Sequence, residues 1–294
     1  MNLLNELFEE ARKFIEEGKI KEAIVIYEHI VKKIPDYHEA RHDLARLLLE
    51  CEESDAALNV LTEGLERNNE IANFWFLKGV IHLKNRSFAE SLKSFRAVEK
   101  LEGQSTALVL NMGLLHRELG AVSVGLELLE TWLEKSGDDP QVFCLIAELN
   151  MEVQEWDKAQ IAVEKGIKLD GSSLHLLFVK GALLSRKKKW LEAIPIFKAL
   201  IDKMPQNTTI MHELGWAYVQ VGHLEGGIEL LEKCHQANPT KISILNDLAV
   251  AYSQIPDFEK SMDYVKKSEA LDPYDSTTQD LIREIQIAKA QMGL

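Results

Sequence analysis

His38-Glu39-Ala40-Arg41-His42 is the stretch of this chain whose residue types and spacing point most directly to chemistry. Two histidines one helical turn apart can hold zinc while the intervening glutamate acts as general base in peptide hydrolysis. The match falls on the first five residues of a periodic helical unit, with no insertion nearby to build a closed pocket and no third-ligand motif after it. We read it as an exposed helix face capable at most of adventitious metal binding by the two histidines. A zinc metallopeptidase is kept as a remote alternative, and no metal site is expected.

A second cluster, Arg186-Lys187-Lys188-Lys189 followed by Trp190, has the composition of an anion patch with a stacking aromatic. It coincides with the end of one helix and the following turn, where solvated charge is ordinary. Trp190 shares its place in the unit with Phe88, Trp156 and Phe258, so we read it as a core plug beneath the turn. The chain holds no Gly-rich phosphate loop, no G-x-S-x-G and no paired-cysteine motif. No catalytic residue is assigned, no cofactor is implied, and the protein is expected not to be an enzyme.

The charge balance excludes another class. Lys and Arg number 34 against 47 Asp and Glu, a net charge of -13, which repels a phosphate backbone and argues against nucleic acid. No apolar run approaches the ~20 residues of a membrane span, so no direct membrane insertion is expected. The amino terminus, MNLLNELFEEARKF, carries acids where a secretory signal has basic residues and then an apolar core, so cytoplasmic location is expected. Cys51, Cys144 and Cys234 lie too far apart for a disulfide framework or a structural zinc motif and are read as reduced, packed thiols.

What must position any site is a repeat. Residues 4–275 divide without insertion into eight 34-residue units beginning at 4, 38, 72, 106, 140, 174, 208 and 242. The eighth residue of each is small: Ala11, Ala45, Gly79, Gly113, Ala147, Gly181, Gly215, Ala249. So is the twentieth: Ala23, Ala57, Ser91, Gly125, Ala159, Ala193, Gly227, Ser261. Gly, Ala and Ser make up under one residue in five of the chain, so this run reflects close helix contact rather than composition. Position twenty-four is always large and apolar (Tyr27, Leu61, Phe95, Leu129, Val163, Phe197, Leu231, Val265), the core knob of a second helix. Position thirty-two is Pro, Gly or Asn throughout and ends that helix. Residues 276–292 read as one further amphipathic helix, with Leu281, Ile282, Ile285 and Ala288 on one side, suited to cap the array.

This pattern resembles the tetratricopeptide repeat, a 34-residue helix-turn-helix with small residues at eight and twenty and Pro near thirty-two. The resemblance implies an all-α fold, an α-solenoid in which the helical hairpins wind as a right-handed superhelix closed by a C-terminal capping helix. Departures are local: Glu10, Lys78 and Lys180 stand where position seven expects a large residue, and His82, His116 and Asn150 occupy position eleven. Pro195, inside a second helix, is expected to bend it slightly.

In that family positions two, five, nine, twelve and thirteen of each first helix line the concave groove. Here they supply Phe76, Val80 and Leu83; Leu110, Leu114 and Arg117; Cys144, Glu148 and Met151; His175, Phe178 and Ala182; and His212, Trp216 and Val219. Solvated helix faces are polar, so this apolar stripe implies either a ligand surface or extra intramolecular packing, and we favour the first. Arg12, Glu16, His42, Arg46 and Glu50 would give the groove a charged end. Positions five and nine lack the basic and amide residues with which chaperone-binding members clamp a terminal carboxylate. The expected function is a scaffold or adaptor binding a peptide or amphipathic helix of a partner protein. A self-assembling homo-oligomer is the alternative.

Overall fold

The computed structural model describes residues 2–291 apart from 256, and apart from the side chains at positions 2, 3 and 5. Position 292, where the sequence reading ends its last helix, lies outside the described residues. All regular structure among the described residues is helical, and the fold is an all-α solenoid. The chain divides into two compact units, Met1–Asp138 and Asp139–Leu294.

The first unit holds α1 (Asn2–Glu16), α2 (Ile20–Lys33), α3 (His38–Glu50), α4 (Ser54–Arg67), α5 (Ala72–Lys84), α6 (Phe88–Glu102), α7 (Thr106–Glu118) and α8 (Val122–Ser136). The second holds α9 (Pro140–Glu152), α10 (Trp156–Leu169), α11 (Leu174–Arg186), α12 (Trp190–Lys203), α13 (Thr208–Gln220), α14 (Leu224–Ala237), α15 (Ile242–Gln254), α16 (Phe258–Leu271) and α17 (Ser276–Gln291). The odd-numbered helices α3 to α15 each start on the first residue of a 34-residue unit, and the even-numbered ones on its seventeenth. α12 runs on through Pro195. Within each unit every helix packs on the next, and neighbouring odd helices meet directly: α3, α5 and α7 in the first unit, α9, α11, α13, α15 and α17 in the second. Each hairpin therefore buries its face only against its neighbours.

The small positions work as close contacts. A Cβ built on Gly79 would lie 2.5 Å from the Phe95 ring, and one on Gly181 2.7 Å from the Phe197 ring, so the knob at position twenty-four occupies the space the glycine vacates. Where position twenty is serine, its hydroxyl closes the hairpin instead: Ser91 Oγ donates to the Gly79 carbonyl at 2.9 Å and Ser261 Oγ to the Ala249 carbonyl at 2.8 Å. Both serines are fully buried, and that bond supplies the partner a buried hydroxyl needs. At the carboxy end, Ile285 of α17 is buried, and Leu281, Ile282 and Ala288 pack on the cluster built from α13 to α16.

The turn between the two helices of a hairpin is uniform in a way the residue types conceal. The fifteenth residue of seven units adopts a left-handed backbone: Gly18, Glu52, Arg86, Gly120, Gln154, Lys188 and Gly222, with φ between 58° and 82°. In each, the next amide bonds five residues back, as Lys189 N–H does to the Leu184 carbonyl, while the left-handed residue bonds three back, as Lys188 N–H does to the Ser185 carbonyl. This is the Schellman ending of a helix, which favours glycine because an L side chain in that conformation is strained by about 1–2 kcal/mol. Lys188→Gly relieves that strain but adds unfolded-state freedom, opposing it by about 0.5–1 kcal/mol. The expected result is a net stabilisation of about 0.5–1 kcal/mol, read as a higher denaturant midpoint. A lower midpoint would show that the Lys188 side chain contributes more than its backbone costs.

Candidate functional site

The odd helices carry the residues singled out for the groove. In the first unit Phe76, Val80 and Leu83 on α5 are half-buried and pack against the cluster of Ala72, Phe95, Val98, Leu108, Met112 and Leu115, with the Phe76 and Phe95 rings 5.9 Å apart. Leu110 and Leu114 on α7 are likewise half-buried, as is Arg117, whose guanidinium meets Glu118 at 3.3 Å. In the second unit Phe178 on α11 is half-buried beside Phe197, and Trp216 on α13 is half-buried against the α13–α17 cluster. Met151 and Ala182 are half-buried too.

Two of the fifteen residues differ. Cys144 is only 3% exposed and Val219 1%, so neither presents surface. Val219 is the wall against which Gly227 closes, its Cγ2 2.7 Å from where a Cβ at 227 would stand. Cys144, a short side chain on a helix buried along most of its length, sinks where Phe76, at the same position of its unit, stays half-exposed.

The polar residues of the set form two compact arrangements. Cys144 and Glu148 stand one turn apart on α9, and His175 of α11 reaches both: its Nδ1 is 3.5 Å from Cys144 Sγ and its Nε2 2.8 Å from Glu148 Oε1. The Cys144 contact first and Glu148 second hold the His175 imidazole protonated, raising its pKa to about 10 against the opposing effect of burial. On the next pair of odd helices, His212 Nε2 lies 2.7 Å from Asp247 Oδ2. Burial raises the pKa of Asp247, with the His212 bond pulling the other way, and burial also raises that of neighbouring Glu213.

The His38–His42 stretch is not an exposed face. Ala40 and Arg41 are buried, the His38 ring stands edge-on to Phe74 at 5.9 Å, and His42 faces Asp43 at 3.6 Å. His38, Glu39 and His42 line a cleft of about 280 Å³ with Phe8, Arg12 and Asn73, yet they do not gather into a three-ligand group. The expected charged end is self-neutralised: Arg46 pairs with Glu50 at 2.9 Å, and Arg12 pairs with Glu9 at 3.4 Å while lying over the Phe8 ring. A second cleft, of about 500 Å³, lies between α16 and α17 and is lined by Phe258, Met262, Ile285 and charged residues. No helix among the described residues is long and apolar enough to cross a membrane.

The sequence reading did not find buried Arg41, the left-handed turn position or the Cys144–Glu148–His175 group. Gly18, Gly120 and Gly222 at one place in the unit were the available signal for the turn. For the cluster it was the recurrence of Cys, Glu and His at inner positions of two consecutive units.

Comparison with known proteins agrees with this architecture. A family model described as tetratricopeptide repeat matches residues 14–79. The human protein O-mannosyl-transferase TMTC3 is 24% identical over 195 residues, which cover 65% of this chain and 21% of that protein. The chain spans between 12% and 41% of the length of the curated relatives it matches. Among solved structures, the APC/C hetero-tetramer Cut9-Hcn1 contains a chain that superposes on 95% of this one with TM-score 0.75 at 15% identity, over 55% of its own length. A tetratricopeptide repeat protein from Parabacteroides merdae superposes on 97% of this chain, over its whole length, with TM-score 0.57 at 16% identity. At these identities the solved structures speak for the fold alone. The matched model identifies tetratricopeptide repeat over residues 14–79, the same helical hairpin recurs in the 34-residue frame through the units that follow, and the solved structures share its solenoid fold.

Proposed function

We propose that this chain is a non-enzymatic scaffold that holds a peptide or helical segment of a partner protein on the apolar inner face of its odd-numbered helices. The observation that carries this reading is the half-exposed placement of Phe178 and Trp216 on α11 and α13, which pack directly on one another. An isolated solvated helix face would be polar there. Large aromatics that keep part of their surface in water are the residue types that anchor interfaces. Burying one such side chain is worth about 1.5–3 kcal/mol, so two or three anchors give micromolar binding once ordering costs are met. Phe76, Val80, Leu83, Leu110 and Leu114 offer a similar surface in the first unit. The description of the Cut9 structure as a hetero-tetramer with Hcn1 fits a binding role, and three unpaired cysteines fit the cytoplasmic setting suggested by the sequence.

The test uses a peptide selected against the wild-type chain from a random library. Trp216→Ala and Phe178→Ala should each weaken it by about 2 kcal/mol, roughly 30-fold, in titration calorimetry. Ile161→Ala, which truncates an exposed side chain on α10, should leave affinity unchanged. Circular dichroism at the assay temperature checks that each variant is folded. Equal affinity for wild type and both aromatic variants overturns the assignment. Light scattering that shows concentration-dependent growth, lost in Trp216→Ala, would instead identify the occupant as a second copy of the chain.

A further inference from the structure

We propose that Cys144, Glu148 and His175 form a binding site for a divalent transition metal of the zinc class. Cys144 and Glu148 project from the same face of α9, one turn apart, and α11 brings His175 over them. One donor atom from each residue can be chosen so that all three lie within 4.8 Å of one another. The Cys144 Sγ to His175 Nδ1 separation is 3.5 Å. A tetrahedral ion with a metal–sulfur bond of about 2.3 Å and a metal–nitrogen bond of about 2.0–2.1 Å needs those donors about 3.5 Å apart, so the pair already stands at the edge length of the polyhedron. The Glu148 carboxylate, 27% exposed, meets the opposite ring nitrogen of His175, Nε2, at 2.8 Å, and supplies the third donor by leaving that contact and turning toward the sulfur.

The donor set selects the ion. One thiolate, one neutral imidazole and one carboxylate suit zinc or cobalt, which take their place on His175 by displacing a ring proton, whereas calcium and magnesium take oxygen ligands throughout. Three protein ligands leave a fourth position open, and the His175 side chain, 64% exposed, places the site within reach of solvent, so a water completes the shell. Most of the helix carrying Cys144 is buried, including its neighbours Phe143 and Leu145, which fixes the place of the sulfur. The inference does not depend on the peptide-binding reading, since it concerns three polar residues rather than the apolar stripe.

Cobalt(II) is the probe. Titrated under reducing conditions into the full chain freed of any affinity tag, it should give a thiolate-to-cobalt charge-transfer band and tetrahedral d–d bands, saturating at one equivalent and abolished by excess zinc. Cys144→Ser should lose the charge-transfer band. His175→Ala should weaken binding at least about 100-fold, beyond the 10–100-fold typical of residues outside the ligand shell. Glu148→Gln changes a partly exposed side chain, keeps the fold, and should weaken binding at least about 10-fold. His38→Gln with His42→Gln should bind as wild type does. Absence of the charge-transfer band in wild type overturns the proposal. So does its persistence in Cys144→Ser, which would assign it to Cys51 or Cys234, and so does unchanged affinity in Glu148→Gln.

Discussion

Gly227→Leu is expected to destabilise the second unit by about 3 kcal/mol or more, the upper range for overpacking a closed contact. Gly227 and Gly215 face each other across the α13–α14 hairpin. A Cβ at 227 would stand 2.7 Å from Val219 Cγ2 and 2.9 Å from the Gly215 carbonyl oxygen, and the second of these is backbone that cannot rotate away. At 215 the nearest atoms are Leu230 Cβ at 3.1 Å, Leu231 Cγ at 3.2 Å and the Gly227 carbonyl oxygen at 3.3 Å, all far enough that a shift of a few tenths of an ångström accommodates a methyl. Alanine in a helix interior gains about 1 kcal/mol over glycine, so Gly215→Ala should come out near neutral while Gly227→Ala still destabilises. Hydrogen exchange in α13 and α14, read beside a denaturant midpoint, separates the two positions. Equal protection in Gly227→Leu and wild type would mean that the hairpin is not closed by this contact.

That ordering shows where sequence stops and structure begins. The small residues at eight and twenty are legible because sterics act on them directly: a helix pair at contact distance admits no large side chain, and the residue type records it. Which of the paired glycines is critical depends on tenths of an ångström in helix rotation, which no spacing encodes. The fifteenth position was hidden for another reason. The left-handed turn is enforced by the two hydrogen bonds that close the helix, so Glu52, Arg86, Gln154 and Lys188 accept it under strain, and composition shows only ordinary charged turn residues.

The inner face was legible in outline and not in depth. A helical wheel places positions five and twelve at the border between core and surface, and side-chain size and neighbours decide the outcome: Phe76 stays half-exposed, whereas Cys144 and Val219 sink. The Cys144–His175 contact spans 31 residues and the Glu148–His175 contact 27, about one repeat each, so local motif spacing cannot reveal them. By contrast His38 and His42 have the spacing of a zinc motif. His38 instead packs on Phe74 and His42 turns to Asp43, because the residue between them that anchors the helix is Arg41.

Arg41→Ala should therefore lower the stability of the first unit by about 3 kcal/mol, although arginine at the start of a helix would ordinarily be a solvated residue. Its side chain is 2% exposed. Nη1 donates to the Val60 carbonyl at 2.8 Å and to Glu63 Oε2 at 3.3 Å, and Nη2 donates to the Pro35 carbonyl at 3.2 Å. One guanidinium thus ties α3 to α4 and to the segment that follows α2. Space for its stem is made by Gly64, where a Cβ would stand 2.5 Å from Arg41 Cδ. Truncation leaves a cavity along the stem and removes the donors from two carbonyls, whereas Glu63, 68% exposed, contributes little and Glu63→Gln should be within about 0.5 kcal/mol of wild type. Arg41→Lys keeps the charge, but a single ammonium does not reproduce the planar fork that reaches the Val60 carbonyl of α4 and the Pro35 carbonyl of the segment after α2 at once, so it should restore less than half of the loss. Denaturation followed by hydrogen exchange resolved over α2, α3 and α4, with the second unit as internal reference, reads all three variants. Full recovery in Arg41→Lys would show that charge alone matters there, and an unchanged first unit in Arg41→Ala would remove Arg41 from the core.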